Sequence, residues 1–458
     1  MKTILASMAA ALALAAGTAH AEDAQGLWTG KIANSLQVNV RFDKTLEGKW
    51  EATLSVPAQN LVTKVEDVTV TPDKIGFALS RLGASYAATW SAQDGAWNGA
   101  WTQGGTTPLN LKRTTEEAVK PKRPQEEAIA ARPAPYSSSD IRFDNAAAGV
   151  KLAGTLTVPQ GKGPFPAVVL VHGSGPINRD GDVFGHKILL VLADHLSRQG
   201  IAVLRYDKRG IGKSSGKLKE ATTRDLAADA EAALAFLRSR PEADAKRIGV
   251  IGHSEGGLIA PMLATRDPAL AFVVMLAGPG VRGDRLLVEQ HALLAQARGA
   301  PAAAIEKDRV MNRALFAAMA DEPTLEAART KAGLILAEAE RKGDLPPGLG
   351  ASALERFGTP WFRELLAHDP APVLQAVRQP ILVLNGERDL QVPAGLDLPP
   401  IRAALAANPR AAVKELPGLN HLFQTAKTGS TGEYGQIEES FAPAALAEIS
   451  SWIGATVR

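Results

Sequence analysis

The chain contains no cysteine. That absence excludes disulfides, thiolate metal sites, a catalytic cysteine and a cysteine-linked lipid anchor at a processing site. A chain of 458 residues without cross-links relies on its buried cores, and at that length two or three such units are expected. Charge of one sign is also scarce. The 51 Lys and Arg residues stand against 48 Asp and Glu, a formal net charge of +3. No basic cluster interleaved with aromatics occurs, so a nucleic-acid partner is not expected. With 45% hydrophobic and 22% charged residues, the composition is that of a globular protein rather than a disordered or membrane-embedded one.

Long apolar runs are missing as well. At the N-terminus "MKTILASMAAALALAAGTAHAED" has one positive charge at Lys2, then an apolar run from Ile4 to about Gly17. That run is shorter than the ~20 apolar residues of a bilayer span. With Ala19-His20-Ala21 as small residues for processing, it reads as a secretory signal, residues 1–21, cleaved after Ala21. The expectation is an exported protein, periplasmic or secreted, with no stable membrane insertion.

Two rhythms follow. From about residue 22 to 113 the runs alternate, as in "LQVNVRF" (Leu36 to Phe42), "WEATLSV" (Trp50 to Val56) and "SYAATWSA" (Ser85 to Ala92). Turn clusters such as "TPDK" and "QGGTTP" separate them. Period-two alternation with regular turns predicts a small antiparallel β domain that curls or closes into a barrel. Trp28, Trp90, Trp97 and Trp101 are expected to fill its core rather than form a carbohydrate platform. Residues 114–139, with Pro121, Pro124, Pro133 and Pro135, read as a semi-extended linker.

From residue 140 to 458 the apolar runs become continuous: "FPAVVLVHG", "GIAVLRYD", "RIGVIGHS", "AFVVMLAG", "QPILVLNGERD" and "AAVKELPG". Helical stretches lie between them. This is the pattern of an α/β domain with a mostly parallel sheet covered by helices on both faces. About a hundred residues separate "AFVVMLAG" from "QPILVLNG"; their helix-spaced apolar positions predict an inserted α-helical cap over roughly 283–369.

Chemistry concentrates in "VIGHSEGGLIAPMLA", Val250 to Ala264. An apolar strand runs into Gly252-His253-Ser254-Glu255-Gly256 and then into a helical pattern. Strand, sharp turn and helix make the context of a nucleophile elbow, with Ser254 as nucleophile. The pattern alone is weak, since "GKSSG" (Gly212 to Gly216) also matches it. No strand leads directly into Ser214, so that copy reads as a loop. The same glycines do not open a helix at the right place for a dinucleotide or phosphate loop. No cofactor and no metal is expected.

A serine hydroxyl needs a positioned base, and the base an orienting carboxylate. On sheets of this type the order is Ser, acid, His. Of the histidines at 20, 172, 186, 195, 253, 291, 368 and 421, only His421, in "LPGLNHLF", follows the last strand. Asp389, in "GERDLQVP", lies just past the strand before it. Alone, His421 fits a surface histidine and Asp389 a turn aspartate; together with Ser254 they fit a catalytic triad. "VVLVHGSGP" ends a strand in a glycine turn, which makes the N–H groups of Ser174 and Glu255 the candidate oxyanion-hole donors. His172, His253 and the Glu255 side chain read as structural or pocket-lining.

Taken in order, "HGSGP", "RYDKRGIGKS", "GHSEGG", "GERD" and "GLNH" resemble the α/β-hydrolase superfamily over about 140–458. "HGSGPINRD" with "YDKRGIGKSSG" further resembles secreted bacterial esterases and serine-aminopeptidase-like hydrolases with an N-terminal β domain. The resemblance implies Ser254, Asp389 and His421 as triad, Ser174 and Glu255 as oxyanion donors, and Asp207 and Arg209 as structural supports. It implies a carboxylic-ester hydrolase acting through an acyl-enzyme on a small-molecule substrate. Two alternatives stay open: an exopeptidase for short peptides, which needs an acidic recess for a free amino group, and a binding protein with a vestigial hydrolase domain.

Overall fold

The computed structural model describes residues 24–458 except 34–35, 58–60, 120 and 347; the segment read as a signal peptide, 1–21, lies outside the described residues. The chain divides into two compact units, Met1–Lys120 and Pro121–Arg458.

The first unit is a nine-stranded antiparallel sheet: β1 (Gly26–Ile32), β2 (Leu36–Lys44), β3 (Trp50–Val56), β4 (Leu61–Lys64), β5 (Glu66–Val70), β6 (Lys74–Leu79), β7 (Ala84–Ser91), β8 (Ala96–Thr102) and β9 (Thr106–Arg113). A short helix α1 (Glu116–Val119) follows. The strand order is β4-β3-β2-β1-β9-β8-β7-β6-β5. The two outer strands are therefore nearly one run of chain. Val65 between them donates its N–H to Ala52 O of β3 at 3.1 Å, and the sheet curls into a near-closed barrel. Alternation explains the curl: in β6 Ile75, Phe77 and Leu79 are buried while the residues between them are not. Trp28 and Trp97 are fully buried and pack edge to face with each other and with Trp90, at 5.1–6.0 Å between centroids. Each such pair adds about 0.5–1.5 kcal/mol beyond burial itself.

The second unit is built on an eight-stranded sheet: β10 (Tyr136–Asn145), β11 (Val150–Pro159), β12 (Phe165–Val171), β15 (Ala202–Tyr206), β16 (Ala243–His253), β17 (Phe272–Leu276), β18 (Ile381–Gly386) and β19 (Ala411–Leu416). β13 (Asp182–Val183) and β14 (His186–Lys187) form a separate small hairpin. The order β10-β11-β15-β12-β16-β17-β18-β19 is antiparallel as far as β15 and parallel from there on. Along β12 the side chains alternate between two cores. Val169 and Val171 join α4 (Thr223–Arg238) and α5 (Glu255–Arg266); Val168 and Leu170 join α3 (Ile188–Arg198) and α14 (Pro443–Thr456). Both faces are covered, which is why the strands read as unbroken apolar runs.

Between β17 and β18 lie α6 (Gly283–Ala297), α7 (Ala302–Asp321), α8 (Leu325–Arg341), α9 (Leu349–Phe357), α10 (Pro360–Ala367) and α11 (Pro370–Ala376). Helices α6, α7, α8 and α10 share a core around Phe316, Met319, Phe362 and Leu366, whereas α11 returns to the sheet through Leu374. Helix α12 (Ala394–Ala404) follows β18, and α13 (Thr431–Tyr434) precedes α14.

The stretch 114–139, read as a semi-extended linker, is differently built. Pro124–Ala131 is a helix, α2, and β10 already begins at Tyr136. Pro124 occupies a first-turn position, where a missing N–H costs no hydrogen bond, and Glu126 and Glu127 face the positive end of the helix. The Arg123 guanidinium donates to the carbonyls of Gly185 (2.9 Å), Gly435 (2.9 Å) and Ile437 (3.2 Å). Charges and prolines here anchor the start of the second unit.

Candidate active site

β12 is the switch point of the sheet, because the chain leaves it to β15 on one side and returns to β16 on the other. Ligands on open sheets gather outside the carboxyl ends of strands at such a point. The ends of β12, β16 and β18 and the loop after β19 carry every site residue named from the sequence.

Ser254 follows β16 and caps α5 with φ 56° and ψ −116°. A non-glycine residue here is strained, and its neighbours show what holds it. A Cβ on Gly252 would lie 1.9 Å from Gly256 O, and one on Gly256 would lie 2.3 Å from Val171 O. Only glycine lets β12, β16 and α5 meet this closely. Ser254 N–H donates to Leu276 O at 2.9 Å, and Ser254 O accepts from Gly257 at 2.8 Å. Among residues 251–260, Ser254 alone is not buried.

Asp389 and His421 are directly joined. His421 Nδ1 donates to Asp389 Oδ2 at 2.8 Å, while Oδ1 accepts from the N–H groups of Gln391 (2.8 Å) and Val392 (2.9 Å). With its proton on Nδ1, His421 keeps the Nε2 lone pair available. The loops carrying the two residues pass so closely that a Cβ on Gly386 would be 2.2 Å from Leu419 O. Asn420, fully buried, shapes the histidine loop by accepting from Leu422 and Gln424 N–H, both at 3.0 Å.

Ser174, Ser254 and His421 line one cavity of about 140 Å³, together with Ile177, Val183, Phe184, Ile188, Leu189 and Leu422. Among the described residues, Ser254 Oγ makes no hydrogen bond to His421. Such catalytic contacts commonly tighten only with substrate bound. Gly173 sits against the serine, where a Cβ would be 3.0 Å from Ser254 Cβ. Glu255 is the first residue of α5, where a main-chain N–H has no acceptor within the helix.

The flanking residues have structural partners. His172 Nε2 donates to Tyr206 O at 2.5 Å; burial, with the Lys208 charge nearby, pushes this imidazole down to about 3. His253 Nε2 donates to His421 O at 2.8 Å, and burial likewise pushes its pKa to about 3. Both rings stay neutral. Asp207 takes a two-armed contact from Arg179 (Nε 3.1 Å, Nη2 2.8 Å) and Arg209 a matching one to Asp229 (2.6 and 2.8 Å).

Sequence reasoning missed Lys208 and Trp361. Lys208 is 3% exposed. Its Nζ donates to Gly173 O (2.6 Å) and Gly175 O (3.1 Å) and faces Glu255 Oε2 at 3.5 Å. Glu255 Oε1 accepts from Thr223 Oγ1 (2.8 Å) and, across from the cap, from Trp361 Nε1 (2.7 Å). The one signal for Lys208 in the sequence is its place in "YDKRG", two residues past the carboxyl end of β15.

A match to the model of the alpha/beta hydrolase family runs over residues 168–427, from β12 through His421 and over half of the chain. The chain belongs to the alpha/beta hydrolase family. This alpha/beta hydrolase is 34% identical over 244 residues to esterase EstD of Thermotoga maritima, covering 53% of the chain and 50% of that protein. It is 31% identical over 160 residues to esterase FrsA of Klebsiella pneumoniae, covering 35% of the chain and 36% of that protein. The chain thus spans half or less of the length of these curated relatives. A solved esterase of Pyrococcus furiosus aligns with 74% of this chain and 99% of its own at 17% identity and a TM-score of 0.46.

Proposed function

We propose that this alpha/beta hydrolase is an exported serine esterase that cleaves carboxylic esters with a short acyl chain. The observation that carries the reading is the Asp389–His421 pair beside a strained Ser254 in a single cavity. Ser254 Oγ attacks the ester carbonyl while its proton passes to His421 Nε2. The N–H groups of Ser174 and Glu255 stabilise the oxyanion, each contributing about 2.7–4 kcal/mol. Collapse breaks the C–O bond, the alcohol leaves with the proton from His421, and Ser254 is acylated. Water then repeats the sequence with His421 as base and releases the acid. Asp389 holds the imidazole in the required tautomer and stabilises the imidazolium.

The small cavity with six apolar lining side chains favours a short acyl group. The acidic recess an exopeptidase needs has little support. Of the described residues lining the larger cavity under the cap, the one carboxylate, Glu355, stands among Lys208, Lys219 and Arg356. The purified protein is expected to hydrolyse p-nitrophenyl acetate faster than an aminoacyl anilide and to be labelled by a fluorophosphonate. Ser254→Ala should abolish both. Full activity in that variant would overturn the reading, and an unlabelled wild-type chain would favour a vestigial site.

A further inference from the structure

The loop that carries Ser174 is flanked by Gly173 and Gly175, and glycine imposes little order of its own. An oxyanion hole nevertheless needs its donors held within about 0.5 Å. Something outside the loop has to fix it, and Lys208 is the group in place. Its Nζ grips Gly173 O and Gly175 O, one carbonyl on each side of Ser174. The Gly173 carbonyl and the Ser174 N–H belong to the same planar trans peptide, so fixing the oxygen on one side aims the N–H to the other. A charge-assisted contact on that oxygen also polarises the amide and strengthens the N–H as a donor.

The counter-ion of Lys208 is Glu255, whose own main-chain N–H is the other candidate donor. One buried ion pair therefore joins the two halves of the hole. Burying such a pair is costly unless geometry and further hydrogen bonds compensate. Here the carboxylate takes those bonds from Thr223 on α4 and from Trp361 on α10 of the cap. Gly175, Lys208 and Trp361 also bound a second cavity of about 560 Å³ between the cap and the sheet. A group seated there touches both the loop anchor and the cap tryptophan.

We propose that Lys208 and Glu255 are positioning residues that set the oxyanion hole, and that the Trp361–Glu255 hydrogen bond makes its geometry depend on how the cap is seated. The proposal rests on the esterase reading above. Trp361→Phe keeps an aromatic ring and removes the N–H, and it is expected to lower kcat about tenfold with KM within about twofold. A trifluoromethyl ketone, which forms the tetrahedral adduct, should bind correspondingly more weakly. Lys208→Met alone strands the Glu255 charge and is expected to lower Tm. The double variant Lys208→Met/Glu255→Gln removes both charges and should recover Tm, yet keep a loss in kcat and ketone affinity of about a hundredfold, the scale of one mispositioned donor. The proposal is overturned if the double variant regains kcat along with Tm, or if Trp361→Phe leaves kcat and ketone affinity unchanged. A wild-type chain that hydrolyses no ester and takes no fluorophosphonate would instead remove the esterase reading and this proposal with it.

Discussion

His253 Nε2 donates to the main-chain carbonyl of His421 at 2.8 Å, with the two rings 4.9 Å apart. The residue before the candidate nucleophile thus holds the loop that carries the candidate base. Replacing it should misplace the imidazole without touching the substrate. His253→Ala is expected to lower kcat on p-nitrophenyl acetate about a hundredfold, the usual scale for a displacement of ~1 Å, with little change in KM. Steady-state kinetics read this directly, and the rate of fluorophosphonate labelling should fall in parallel.

Burial pushes His172 and His253 down to about 3 and His186 to about 4. The unfolded chain takes up protons on these rings near pH 6.5, whereas the folded chain does not. Their contribution to stability is complete above pH 6.5 and is lost as pH falls. Near pH 5 the three together give a slope of at most about 4 kcal/mol per pH unit, less toward pH 6 and pH 4. Urea midpoints across that range check it. His186→Asn, which keeps a donor for Tyr434 O, should remove about a third of this histidine contribution to the slope.

Asp397 behaves in the opposite sense. Burial raises its carboxyl to about 7, against the hydrogen bonds from Gly280 and Val281 N–H, and the nearby Asp389 adds to the rise. Since the folded value lies above the unfolded one, the folded state is favoured in acid and loses that advantage as pH climbs from about 4 to about 7. Asp397→Asn keeps an acceptor for both N–H groups and cannot ionise. Its Tm should gain on the wild type between pH 4 and 7, by the equivalent of at most about 4 kcal/mol, and level off above that. A constant difference across this range would contradict the assignment.

Phe184 lines the small cavity and packs edge-on against Tyr434 at 5.1 Å. Phe184→Ala lengthens the space beside Ser254. The ratio of kcat/KM for octanoate over acetate esters should rise about 10- to 200-fold, the range set by one or a few methylenes in an apolar pocket. An unchanged ratio would show that the acyl chain lies elsewhere.

The architecture was legible because it rests on local pattern. Alternation in β3 and β7 foretold a one-sided sheet curling on its own core, and unbroken runs such as β12 foretold a sheet covered twice. Ser254, Asp389 and His421 were findable for the same reason, since each sits where a strand or its loop ends. Contacts between distant segments leave no such trace. Trp361 and Glu255 are 106 positions apart, and Asp397 reaches Gly280 across 117. Lys208 in "YDKRG" has the look of a solvated turn, because charges after a strand usually face water. The helix at Pro124–Ala131 was hidden by its prolines and charges, which suit a linker and a helix start equally well.

Arg123 gives the second unit an unexpected starting point. Three of its carbonyl partners lie on the small hairpin beside Phe184 and on the segment ahead of α14. Gln125 and Glu126 add bonds to Ser440 and Phe441. The beginning and the end of this unit are thereby laced together beneath the wall of the small cavity. A chain trimmed to start at residue 140 would keep every residue of the candidate triad but lose the first four residues of β10, Tyr136 to Ser139. It would also cut that lacing, leaving the carbonyls that Arg123 holds without their donor beside the wall of the small cavity.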